Sequence, residues 1–192
     1  MSHGDGDGVP VYINIPIASG EWDTNICIWD VSQGRNEFLL HTLEGHEHTV
    51  GCLCWNQNGE ILLSGSHDRT IRLWNALAGT ILSVIHGHEG GIRSLSVSPY
   101  YKLLASASHD KTIRIWDFGN NNSSRCIDND TSHCIVMLYS HSKAVTVVSW
   151  SKCGKYLASG TYDNTVCIWD AVSSSSSTNN PPPKVLINWW LE

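Results

Sequence analysis

Apolar and β-branched residues fall into short runs, and almost every run is closed by Asn, Gly, Asp or Ser. Val50-Gly51-Cys52-Leu53-Cys54-Trp55 is ended by the turn Asn56-Gln57-Asn58-Gly59, after which Ile61 to Ser64 forms a second run. His67-Asp68-Arg69 turns that run into a third, Thr70 to Trp74, and the region around Leu77-Ala78-Gly79 leads into a fourth, Thr80 to Ile85. Runs of this length and composition predict strands joined as hairpins. No long stretch of helical period lies between them. Cys52 and Cys54 alternate along the first strand and so share one face as small apolar side chains.

The same series returns twice more. Leu62-Leu63-Ser64-Gly65-Ser66-His67-Asp68-Arg69-Thr70-Ile71-Arg72-Leu73-Trp74 is matched from Leu104 to Trp116 and from Leu157 to Trp169, with a worn copy running from Ala18 to Asp30. His46, His88 and His141 each lie 18 residues before a serine, 22 before an aspartate and 28 before a tryptophan. Trp29, Trp74, Trp116 and Trp169 are separated by 45, 42 and 53 residues, and the surplus in the last interval sits in Gly119 to Ser132. Constant internal spacing across uneven connections marks one structural unit repeated. Such a unit cannot bury both of its faces alone, so neighbouring copies must stack.

A period near 42, with Gly-His opening and Trp-Asp closing, resembles the WD-repeat family of β-propellers over about residues 18–170. The resemblance implies an all-β fold of four-stranded antiparallel blades, three full and one partial. Residues 1–8 are then a flexible start. A partial blade takes 9–43, full blades about 45–86, 87–139 and 140–170, and residues 171–192 a Ser/Asn/Pro-rich linker with an apolar end. It also implies a buried hydrogen-bond chain in each full blade, from Asp to His to Ser to the Trp N–H. The sets are His46, Ser64, Asp68 and Trp74; His88, Ser106, Asp110 and Trp116; and His141, Ser159, Asp163 and Trp169.

His, Ser and Asp recurring together also invite a hydrolase reading. A catalytic triad is needed once, whereas this set occurs three times, and no Gly-x-Ser-x-Gly elbow accompanies it. No catalytic residue and no cofactor are expected. Cys126, His133 and Cys134 cluster without a recognised zinc spacing, so no metal is expected either.

The first copy lacks a Gly-His. Val9, Val11, Ile13, Ile15 and Ile17 alternate as one strand, with Pro10 and Pro16 suited to a sheet edge, so the innermost strand of the first blade is expected to be missing. At the other end, Lys184 to Trp190 reads either as the outer strand of the last blade or as an ill-fitting terminus. A strained four-bladed ring, an open arc completed by a second copy, and a piece of a seven- or eight-bladed parent all fit, the last best. Open edges would favour self-association.

Net charge is −6, and the 12 Lys and Arg are scattered rather than gathered into a stripe for nucleic acid. No signal-like start and no apolar run of about 20 residues is present, so no membrane is expected. Seven cysteines without a Cys-x-x-Cys read as reduced, which places the chain inside the cell, in the cytoplasm and/or nucleus.

The family resemblance implies a non-catalytic scaffold that presents loops to other proteins in a multiprotein complex. Its usual contact face maps onto Trp22, His67, His109 and Tyr162, each just before an aspartate, with Glu47, His48, Glu89, Ser142 and Lys143 from the loops entering the inner strands. Members serving ubiquitin ligases carry Trp-Asp-x-Arg; here the fourth residues are Ser32, Leu77, Gly119 and Val172. A sensor region of a larger signalling protein is the alternative reading, although the chain holds no nucleotide-binding loop.

Overall fold

A computed structural model of the chain describes residues 16–20, 22–31, 38–100, 102–118, 134–139 and 141–171, and the backbone of 185–190. These residues form fifteen strands. They are β1 (Ile17–Gly20), β2 (Ile26–Asp30), β3 (Phe38–Leu43), β4 (Val50–Trp55), β5 (Ile61–Ser66), β6 (Ile71–Asn75), β7 (Thr80–Ile85) and β8 (Ile92–Val97). The remainder are β9 (Leu103–Ser108), β10 (Thr112–Asp117), β11 (Cys134–Tyr139), β12 (Val145–Trp150), β13 (Tyr156–Thr161), β14 (Thr165–Asp170) and β15 (Val185–Trp190).

Each sheet is an antiparallel meander in chain order: β1-β2-β3, β4-β5-β6-β7, β8-β9-β10-β11 and β12-β13-β14-β15. The all-β propeller-blade fold read from the repeats is the fold of the chain. The turn expected at Asn56–Gly59 joins β4 to β5. Gly59 donates to the Asn56 carbonyl at 3.2 Å and takes φ +72°, where a side chain would be strained.

The first sheet has three strands among the described residues. Of the alternating run 9–17, residues 9–15 lie outside the described part, and Ile17 opens β1. The insertion 119–132 also lies outside it. The fourth sheet takes β15 as its outer strand, with Ile168 opposite Ile187 and Thr165 opposite Trp190. A last blade drawn to end at residue 170 therefore stops short of its fourth strand.

Burial explains why the repeat looks as it does. β5 and β9 are covered on both sides, so they read as continuous apolar and small residues rather than alternating ones. Outer strands β3 and β7 keep much of their surface in solvent. Three apolar clusters fill the three contacts between successive sheets. Ile26, Ile28 and Leu43 of the first sheet meet Val50, Leu62 and Trp74 of the second. Leu63, Ile71 and Leu73 meet Ile92, Leu104 and Trp116 of the third, and Ala105, Ile113 and Ile115 meet Val145, Leu157 and Trp169 of the fourth. Each repeated tryptophan thus seals its blade against the preceding one. The third and fourth sheets are also tied by polar contacts, with the Val148 and Trp150 amides donating to Ser94 and Ser96 at 3.2 and 3.0 Å. Among the described residues the sheets form an open succession, and the fourth does not return to the first.

The residue after each repeated aspartate sits in left-handed backbone space: Thr24 at φ 77°, Arg69 at 73°, Lys111 at 71° and Asn164 at 63°. Side chains other than glycine and asparagine pay about 1 kcal/mol there. Lys111 is exposed, so Lys111→Gly is expected to stabilise the fold by about 0.5–1 kcal/mol in urea melts. A lowered midpoint would contradict that expectation.

Candidate partner-binding face and its hydrogen-bonded supports

The β5–β6 and β9–β10 hairpins carry Ser, Asp and Trp, while the loop entering the inner strand carries His. In the second blade His46 Nδ1 is 2.7 Å from Asp68 Oδ2, His46 Nε2 is 2.7 Å from Ser64 Oγ, and the Trp74 indole donates to Ser64 Oγ at 2.8 Å. The third blade repeats these values: 2.7 Å to Asp110, 2.7 Å to Ser106 and 2.8 Å from Trp116. A carboxylate only accepts, so the imidazole proton belongs on Nδ1. Nε2 must then accept from the serine, which in turn accepts from the indole. One tautomer satisfies the whole chain.

Threonine completes it. Thr70 and Thr112 donate from both amide and hydroxyl to Asp68 and Asp110, at 2.6 to 2.9 Å. The loop amides of Glu47 and Glu89 donate to the other carboxylate oxygen at 3.0 Å. The signal for threonine is visible in the sequence as Asp-x-Thr in each full repeat, Asp68-Arg69-Thr70, Asp110-Lys111-Thr112 and Asp163-Asn164-Thr165.

The fourth blade is looser. His141 still meets Ser159 at 2.8 Å, and Trp169 donates to Ser159 at 2.9 Å, but Asp163 stands 3.9 Å from His141 Nδ1. Thr165 takes that place at 3.1 Å, and Asp163 is held by Thr161, Thr165 and Ser142. In the first blade Trp29 donates to Ser19 at 3.2 Å, while Asp23 bonds Asn25.

Burial alone would raise the Asp68 and Asp110 carboxyls, but bonds from His46 or His88 and from the threonines, joined at Asp68 by the Glu47 amide, hold both well below the usual range. Asp163 is lowered likewise, by Thr161, Thr165 and Ser142 against burial. Burial pushes His88 and His141 down from about 6.5, against the pull of Asp110 and Asp163. A histidine depressed in the folded state contributes stability above its unfolded value, which is lost as pH falls through about 6.5 and below. The aspartates lose theirs only below about pH 4. The melting temperature is therefore expected to fall by several degrees from about pH 7.5 to 5.5 in scanning calorimetry. A constant or rising value over that window would contradict this.

The residues expected to form the contact face lie in the turns and loops next to these supports in sequence. Trp22 is 90% exposed and Tyr162 56% exposed, and Glu47, Glu89, Ser142 and Lys143 are exposed as well. His48, His67 and His109 form a row of rings with centroids 5.6 Å apart at both steps. Arg93, which sequence reasoning did not select, brings Nη1 to 3.4 Å from His67 Nε2. Among the described residues no three His, Cys, Asp or Glu converge on a metal-sized site; Cys126 and His133 lie outside them.

A family model described as "WD domain, G-beta repeat" matches residues 37–75, 79–117 and 132–170, more than half of the chain. The chain belongs to the WD-repeat family. Each matched repeat spans the outer strand of one blade and three strands of the next, as 37–75 covers β3 to β6. Among curated WD-repeat relatives, Protein HIRA of Oryza sativa subsp. japonica is 31% identical over 81% of this chain and 13% of its own length. Probable cytosolic iron-sulfur protein assembly protein 1 of Scheffersomyces stipitis is 37% identical over 33% of this chain and 20% of its own. The WD repeat-containing protein WDS homolog of Arabidopsis thaliana is 44% identical over 30% and 11%. The chain spans about a fifth or less of the length of these relatives. No helix among its described residues is long and apolar enough to cross a membrane.

Proposed function

We propose that this WD-repeat chain is a non-catalytic scaffold that holds other proteins in a complex through the face carrying Trp22, His67, His109 and Tyr162. One observation carries the reading. The serines that a hydrolase would use are buried, at 0% to 2% exposure, and each is engaged by both a histidine and an indole. A nucleophile must reach substrate; these hydroxyls tie strands together. The side chains left free to meet a partner are the aromatic, imidazole and charged groups of the turns, and aromatic anchors dominate many interfaces. Relatives named for cytosolic iron-sulfur protein assembly and for nuclear distribution support work within assemblies in the cytoplasm or nucleus.

A second reading, a sensor region within a larger signalling protein, draws on the small share of each relative that the match covers. Both readings place function on the same face. The test is recovery of bound proteins by the parent and by a Trp22→Ala/His109→Ala/Tyr162→Ala variant whose melting temperature is unchanged. Loss of at least one partner is expected. Recovery of every partner by the variant would overturn the assignment.

A further inference from the structure

The row of imidazoles is assembled from two blades. His48 belongs to the loop entering β4, His67 to the β5–β6 turn, His109 to the β9–β10 turn and Arg93 to β8. Backbone contacts fix the row. His67 N donates to the Thr49 carbonyl and His109 N to the Gly91 carbonyl, each at 3.0 Å. Gly91 lies directly beneath His67, where a Cβ would come within 3.1 Å of the His67 Cα. The rings are tilted 32° and 80° to their neighbours.

The charges around the row are unequal. His67 faces His48, Arg93 and His109. Arg93 Nε is buried without a hydrogen-bond partner, and its Nη1 reaches only a ring nitrogen. The aspartates that follow His67 and His109 in sequence, Asp68 and Asp110, are already held by histidine, threonine and loop amides. The flanking charged residues in sequence are Glu47, Arg69, Glu89 and Lys111, all exposed. On a chain of net charge −6, this is a local concentration of one fixed cation and three protonatable rings.

We propose that His48, His67, His109 and Arg93 form a carboxylate-binding site that receives an acidic, extended segment of a partner protein. The inference rests on the reading of these turns as the partner face. Alternate side chains of an extended strand project about 6.6 Å apart, close to the 5.6 Å steps of the row. Burial, Arg93, His109 and His48 all hold a proton off His67. A carboxylate placed among them reverses that balance, so binding takes up protons and tightens as pH falls.

The probe is a heptapeptide alternating Glu and Ser, titrated into the full chain while the histidine ring resonances are followed by NMR. The three rings are expected to shift together, with affinity about five- to tenfold tighter near pH 6 than near pH 7.5. A Gln-for-Glu peptide is expected to leave them in place. His48→Asn/His67→Asn, melting like the parent, is expected to lose the pH-dependent gain. Equal affinity at both pH values, unperturbed rings, or an unchanged profile in that variant would overturn the proposal. So would ring shifts from inorganic phosphate without any from the peptide, or displacement of the peptide by a short RNA at lower concentration. His109 is shared by this site and the Trp22/His109/Tyr162 variant, so the peptide is titrated into the parent chain and partner recovery is read separately in the variant. Partners lost there alongside a peptide with no pH dependence would remove the acidic-segment inference alone; partners all retained there would remove the face itself.

Discussion

Asp110→Ala is expected to destabilise the fold by about 3 kcal/mol or more, because it strips the acceptor from several donors at once. Asp110 accepts from His88 Nδ1 at 2.7 Å, from the Thr112 amide and hydroxyl at 2.9 and 2.7 Å, and from the Glu89 amide at 3.0 Å. His88 and Thr112 are buried, and each buried donor left unpaired costs about 1–3 kcal/mol. For a chain of this size the melting temperature would fall by roughly 6–12 °C. If the alanine protein is insoluble, Asp110→Asn serves instead: it keeps the volume and one acceptor oxygen, and is expected to melt between the two. An Asp110→Ala protein that melts within about a degree of the parent would contradict the structural role of this carboxylate. The corresponding Asp163→Ala change is expected to cost less, since Asp163 stands 3.9 Å from His141.

Gly87→Ser is the second large effect, expected at about 2–4 kcal/mol. Gly87 precedes the buried His88 with φ +143°, a conformation that L side chains rarely adopt. A Cβ there would lie 2.8 Å from Arg114 Nη1 and 3.2 Å from the Trp116 ring. Gly45 repeats the arrangement at φ +147° against Arg72 and Trp74. The third full repeat reads differently in sequence, with Ser140 in place of the glycine and Cys167 in place of the arginine. Removing the guanidinium is therefore expected to recover part of the loss. In a urea-melt cycle, Gly87→Ser and Arg114→Cys should couple by about 1 kcal/mol, the double variant being more stable than the sum of the singles. Strict additivity would show that backbone strain alone sets the cost.

What was legible in the sequence is what a single hairpin fixes. Ser64 and Trp74 lie ten residues apart because β5 and β6 pair in one register around one tight turn, Leu62 opposite Trp74 and Ser64 opposite Arg72. His46 keeps its distance because one strand and one turn separate it from that hairpin. The threonines were equally visible, but their hydroxyls gain meaning only beside a carboxylate whose other oxygen is already taken. Arg93 could not be read at all, since its contact with His67 depends on how the second and third blades stack. The same stacking creates the His48–His67–His109 row. The sequence leaves the outer strand β15 open because thirteen residues, 172–184, of Ser, Asn and Pro with one valine, one threonine and one lysine, separate it from β14 and impose no register. Nor does constant spacing reveal that Asp163 has withdrawn from His141 while Asp68 and Asp110 have not.

Amide hydrogen exchange at Glu47 and Glu89 tests most directly whether the repeated His-Ser-Asp-Trp sets are internal supports. Both residues are exposed and lie in loops, yet their amides donate to Asp68 and Asp110 at 3.0 Å. The expected result is exchange as slow as that of the β5 and β9 amides, with protection at Glu89 lost in Asp110→Ala and protection at Glu47 kept. Exchange of both amides at the rate of an open loop would show that the carboxylates do not hold these loops, and the sets would have to be explained by something other than support.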